Sequence, residues 1–75
     1  MNYFVNQKKQ TDTGNWDTGI HVKATRNEAF HQFHAFMSTY AYGQATNLKF
    51  VGCSIETEEG EIVANEFYKA EGIEE

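Results

Sequence analysis

A segment with helical spacing of its apolar residues constrains the fold most. At about 100° per residue its apolar side chains form one stripe wider than a right angle. The stripe consists of Ala29, Phe30, Phe33, Phe36, Met37, Tyr40 and Ala41. Thr25 and Glu28 form a Thr-x-x-Glu capping box, which marks the start of a helix, and Gly43 stands where a left-handed C-terminal cap belongs. We therefore predict a helix over residues 26–42 that buries this stripe.

Apolar and polar residues alternate on both sides of this segment, which is typical of strands. Residues 20–24 and 50–55 alternate in this way, whereas residues 3–8 begin with an apolar run and residues 62–68 are rich in aromatic and β-branched residues, which also favours strands. Glu58-Glu59-Gly60-Glu61 reads as a short hairpin turn, because Gly60 can adopt a positive φ without steric cost. The order β-β-α-β-β predicts one small α+β domain over residues 1–75. In it, one helix packs on one face of a four-stranded, mainly antiparallel sheet, with an acidic hairpin and tail from about residue 48.

A single helix covers only one face of such a sheet, so the other face must stay open or meet something else. If Val22, Val51, Cys53 and Ile55 face the helix, alternation places Leu48 and Phe50 on the opposite side. From the last strand, either Ile62, Ala64 and Tyr68 or Val63 and Phe67 join them, according to register. We assign the predicted oligomer face to Leu48, Phe50, Ile62 and Tyr68. An apolar patch of this kind favours self-association or partner binding; the alternative is that strand twist and residues 69–75 cover it.

The net charge of −5 is unevenly distributed along the 75 residues. Residues 1–50 hold five basic and three acidic residues, a net charge of +2, whereas residues 51–75 hold one and eight, a net charge of −7. This distribution repels phosphate backbones, so we expect no direct contact with nucleic acid. The acidic third suits a partner protein with a basic surface, the alternative being a solvated hairpin tip. The candidate contact residues are Glu56, Glu58, Glu59, Glu61 and Glu66.

Residues 11–19 read as a polar loop that contains Asp-Thr-Gly twice. In aspartic proteases each such triplet follows an apolar strand in its own lobe, so we exclude that activity. The oxygen ligands do not fall at the positions of an EF-hand either. Trp16 lies in the middle of this stretch. It either packs back onto the sheet edge or serves as an anchor for a partner.

The residues with catalytic or metal-binding potential are few. A metal centre would need His21, His31 and His34 to converge, but the helical periodicity places His31 toward solvent and no acidic or thiol ligand has suitable spacing. We therefore predict no metal site and no cofactor. Cys53 alternates with apolar residues, which indicates a buried, inert thiol with a raised pKa. With no nucleophile elbow and no phosphate loop, we predict that the protein is not an enzyme.

The single cysteine and the absence of an apolar leader or membrane-length segment favour a cytoplasmic location. The function that these features indicate is a non-enzymatic acidic binding protein. Its acidic hairpin and tail would engage a basic, nucleic-acid-binding protein. In composition alone it is analogous to small inhibitors of defence enzymes from phages and mobile elements. The alternative is a homo-oligomeric structural or small-ligand-binding module joined through the open sheet face, as a homodimer in the simplest case.

Overall fold

The computed structural model describes residues 1–42 and 48–69. Four antiparallel strands form one open sheet in the order β2-β1-β3-β4, which confirms the predicted α+β fold. The elements are β1 (Tyr3–Thr11), β2 (Trp16–Lys23), α1 (Arg26–Met37), a π-helical turn (Ser38–Tyr42), β3 (Leu48–Thr57) and β4 (Ile62–Lys69). The two central strands, β1 and β3, lie beneath α1.

Helix α1 begins where the capping box predicts. The Thr25 hydroxyl accepts a hydrogen bond from the backbone N–H of Glu28 at 3.2 Å and donates one to the Glu28 carboxylate at 2.9 Å. The helix continues into the π-helical turn, so helical geometry spans the whole of the predicted range 26–42. The predicted C-terminal cap, Gly43, lies outside the described residues.

The core lies between α1 and the two central strands. Its buried members are Val5, Ala29, Phe33, Phe36, Met37, Val51, Cys53 and Ile55. Phe30 and Tyr40 flank it half-buried, as expected for the edges of the helical stripe. Because α1 sits above β1 and β3, the edge strand β2 is exposed along nearly its whole length.

The first hairpin is longer than the sequence pattern predicted. β1 extends to Thr11 and β2 begins at Trp16, which leaves a four-residue turn closed by the Thr11 N–H donating to the Asn15 carbonyl at 2.9 Å. Gly14 takes the positive φ of +95° that this turn requires. The prediction of a loop over residues 11–19 was therefore wrong, and Trp16 lies in a strand. β2 begins four residues before Ile20, because residues 16–19 pair with residues 7–10 of β1.

Candidate functional site

The face of the sheet opposite α1, here called the open face, is built from four cross-strand rows. From the β1–β2 turn onward, the rows are Trp16-Gln10-Phe50-Lys69, Thr18-Lys8-Gly52-Phe67, Ile20-Asn6-Ser54-Asn65 and Val22-Phe4-Glu56-Ile62. Paired residues in an antiparallel sheet point to the same side, so each row presents four side-chain positions to one surface. The described part of the chain provides no element that covers them.

Large apolar side chains on this face are strongly exposed. Seven large hydrophobic side chains are exposed in residues 1–42 and 48–69, and five of them belong to the open face. These five are Trp16 at 55%, Ile20 at 65%, Val22 at 57%, Ile62 at 55% and Phe67 at 63% exposure. These five side chains lie on the two edge strands, β2 and β4, on either side of the central strands.

Phe50 and Ile62 lie on the open face, as predicted for the oligomer face, whereas Leu48 does not. β1 and β3 shift register between Gln10 and Thr11, so that Thr11 pairs with Leu48 and Lys49 is skipped. This irregularity breaks the alternation on which the prediction depended. Leu48 is consequently half-buried against the core on the helix side.

A second irregularity reverses the assignment of Tyr68. Ile55 pairs with Ala64 but Glu56 pairs with Ile62, so β4 has an extra residue at this point. Ile62 and Phe67 therefore both lie on the open face, although residues five positions apart in a regular strand point to opposite faces. Tyr68 pairs with Val51 and points to the helix side, so its assignment to the oligomer face was wrong. Val22 was also predicted on the helix side, but its pairing with Phe4 places it on the open face.

Three aromatic rings form a contact series across the first two rows. The ring centroids of Trp16 and Phe50 are 5.6 Å apart, and those of Phe50 and Phe67 are 5.9 Å apart with an interplanar angle of 13°. A Cβ atom at Gly52 would lie 2.8 Å from Phe50 Cε1, so the glycine makes room for this ring. Trp16 thus packs on a neighbouring ring of the sheet and remains half exposed, and its role as a partner anchor stays a prediction.

The open face is positively charged at one end and negatively charged at the other. The ammonium groups of Lys8 and Lys69 each lie 5.8 Å from an aromatic centroid in the first two rows, over Phe50 and Phe67 respectively. Glu56 lies in the fourth row, next to the β3–β4 turn. The face is therefore charged asymmetrically along the strand direction.

The β3–β4 turn confirms the predicted hairpin and exposes three carboxylates. Gly60 has a φ of +92°, and the buried Thr57 hydroxyl accepts from the backbone N–H groups of Glu59 and Glu61 at 3.3 and 3.2 Å. We call Glu58, Glu59 and Glu61 the acidic turn. The other two predicted acidic residues lie apart, because Glu56 is on the open face and Glu66 pairs with Cys53 on the helix side.

The thiol of Cys53 is free and 3% exposed, in the position that the alternation predicted. Burial, with a smaller contribution from the negative charge of Glu66, raises the pKa of Cys53 to about 11. A thiol with this pKa is protonated at neutral pH and is a poor nucleophile. The residue contributes to the core.

The three histidines lie on the outside of the molecule. His21, His31 and His34 are exposed, and the His34 ring contacts those of Phe30 and Phe33 at 5.8 and 5.5 Å. Within residues 1–42 and 48–69, no three His, Cys, Asp or Glu side chains are grouped so that they could hold a metal ion. Over the same residues, no helix has the length and apolar character needed to cross a bilayer.

Comparison with protein-family models, with curated proteins and with solved structures found no match to this chain.

Proposed function

We propose that the protein is a non-catalytic binding module that pairs with a second copy of itself through the open face. The observation that carries this proposal is the concentration of exposed apolar side chains on one surface. Burying them against a second copy would remove apolar area from water, which is the main driving force of association. Two sheets that meet face to face make a sandwich about 10 Å thick.

The charge asymmetry of the open face favours one orientation of the two copies. A two-fold axis parallel to the rows brings the first row of one copy against the fourth row of the other. Lys69 then lies near the partner copy's acidic end, where Glu56 is. A two-fold axis parallel to the strands would instead place like-charged ends together, which is unfavourable.

The middle of the open face is polar and concave. A trough of about 560 Å³ lies there, lined among others by Asn6, Ser54 and Asn65 in the third row and Thr18 in the second. In the proposed orientation the third row of one copy lies over the second row of the other, so Asn6 faces the partner copy's Lys8 and Ser54 faces its Gly52. The polar groups of the trough can surround a small polar ligand there, in agreement with a module whose pocket forms at the subunit contact.

A charge exchange tests the proposed orientation. We expect Lys69→Glu to weaken self-association by about tenfold or more, because it places like charges together. Adding Glu56→Lys should restore much of the affinity, because the charges at positions 69 and 56 are then exchanged and again opposite. Sedimentation velocity over a concentration series measures both effects. A double variant that self-associates no more tightly than Lys69→Glu alone would contradict this orientation.

Binding of a basic protein to the acidic turn stays a second proposal. It is supported by the exposure of all three carboxylates and by the two backbone hydrogen bonds to Thr57 that fix the turn. We expect charge reversal of Glu58, Glu59 and Glu61 to lysine to abolish binding to an arginine-rich peptide in a fluorescence anisotropy assay. Asp12→Lys, in the exposed turn of the other hairpin, is the control. Equal affinities for the triple variant and the wild type would exclude this site.

A further inference from the structure

A cavity on the helix side of the sheet is separate from the open face. It has a volume of about 370 Å³ and lies between the C-terminal half of α1 and strands β1 and β2. The residues that matter for its chemistry are Gln7, Lys9, Asp17, Gly19, Phe36 and Tyr40. A volume of this size accommodates a small organic molecule.

Gly19 lines this cavity from the helix side of β2. It pairs with Gln7, whose neighbours Val5 and Lys9 point to the same side. A Cβ atom at Gly19 would have no heavy atom within 4 Å, in contrast to the crowded Gly52 on the other face. The exposed Gly19 therefore leaves open space at the mouth of the cavity.

Gln7, which lines this cavity, carries a buried hydrogen-bond donor. The side-chain nitrogen of Gln7 is buried and has no hydrogen-bond partner among the described residues. Buried polar groups without partners are rare, because each has lost its water without gaining a replacement. A ligand that offers an acceptor oxygen would satisfy this nitrogen.

A cation lies at the same cavity. The Lys9 ammonium is 3.9 Å from the centroid of the Tyr40 ring and 3.6 Å from Asp17 Oδ2. The second distance is longer than a hydrogen bond. The Lys9 side chain is 21% exposed, whereas that of Asp17 is 69% exposed and turned toward water. The ammonium therefore lies beside the cavity, over the ring, and can donate to a second acceptor at hydrogen-bonding distance.

We propose that this cavity binds a small organic carboxylate with an apolar or aromatic body. The carboxylate accepts from Gln7 Nε2 and Lys9 Nζ, and the body of the ligand packs on the rings of Phe36 and Tyr40. Two donors, one of them charged, favour a carboxylate over a neutral carbonyl group. Because the cavity and the open face are on opposite sides of the sheet, this proposal does not depend on self-association.

Titration with benzoate, followed by ¹H–¹⁵N NMR of the full chain, tests this site. We expect saturable shifts confined to residues around the cavity, including the side-chain amide of Gln7, and affinity for benzamide about tenfold lower. Gln7→Leu removes the donor and should weaken benzoate binding by about tenfold. Gly19→Val should weaken it further by occupying part of the cavity, and a β-branched residue suits a strand.

Ile20→Val, one residue away on the open face and outside the cavity lining, is the matched control and should bind benzoate as the wild type does. Circular dichroism and thermal melting show whether Gly19→Val keeps the fold. Three results would overturn the proposal: absence of saturable shifts, equal affinity for benzoate and benzamide, or undiminished binding by a folded Gly19→Val variant. If Gly19→Val fails to fold, undiminished benzoate binding by Gln7→Leu would overturn it instead.

Discussion

Phe67→Glu should convert the protein from a dimer to a monomer. The Phe67 side chain is 63% exposed, stacks on Phe50 and lies in the second row of the open face. In the proposed dimer it is buried against the partner copy, where an unpaired carboxylate is strongly unfavourable. Light scattering coupled to size exclusion should give twice 8.6 kDa for the wild type and 8.6 kDa for the variant.

Tyr68→Glu is the matched control for this experiment. Tyr68 is the next residue along β4, and its 50% exposure is similar, but it points to the helix side of the sheet. The Tyr68→Glu variant should therefore remain dimeric. A monomeric wild type, or equal loss of mass in both variants, would contradict association through the open face.

The parts of the fold that were predictable are those set by neighbours in sequence. The capping hydrogen bonds of Thr25 and the left-handed conformation of Gly60 depend on residues within a few positions. A helical stripe likewise follows from spacing alone, since every turn repeats the same geometry. These elements could be placed before any tertiary contact was known.

The positions of individual strand residues could not be predicted in the same way. One extra residue in a strand moves every following side chain to the other face. The two register shifts place Leu48 and Tyr68 on the helix side, and the alternation of apolar residues does not indicate either shift. The first hairpin was predicted with too long a loop for another reason: Asp17, Thr18 and Gly19 carry no apolar pattern, although they pair with β1.

The candidate sites were only partly visible in the sequence. Phe50 and Trp16 were predicted as interaction residues, but the sequence did not decide on which face of the sheet Phe67 lies. Two glycines could have indicated the sites. Gly52 accommodates the Phe50 ring and Gly19 leaves a cavity, and both are strand positions where a glycine weakens the sheet unless something occupies the space. A glycine inside an alternating segment therefore indicates a ring, a ligand or a bulge nearby.

Phe33→Ala should remove a large part of the free energy of unfolding. Its ring is 2% exposed in the core between α1 and the sheet. Removing a buried phenylalanine costs about 3–5 kcal/mol. A chain of this length has a free energy of unfolding of roughly 4–11 kcal/mol. Urea denaturation measures the loss. We would perform it in the Phe67→Glu background, so that dissociation of the dimer does not contribute.

Phe30→Ala provides the comparison within the same helix. The Phe30 ring is 6.2 Å from that of Phe33, but it is only half-buried at the edge of the core, with the Arg26 guanidinium 5.3 Å from its centroid. The cost of truncation scales with the area and the cavity that are lost. We therefore expect Phe30→Ala to lose less than half as much stability as Phe33→Ala. Equal losses would mean that the core extends to the outer edge of α1, and that a further part of the molecule covers Phe30.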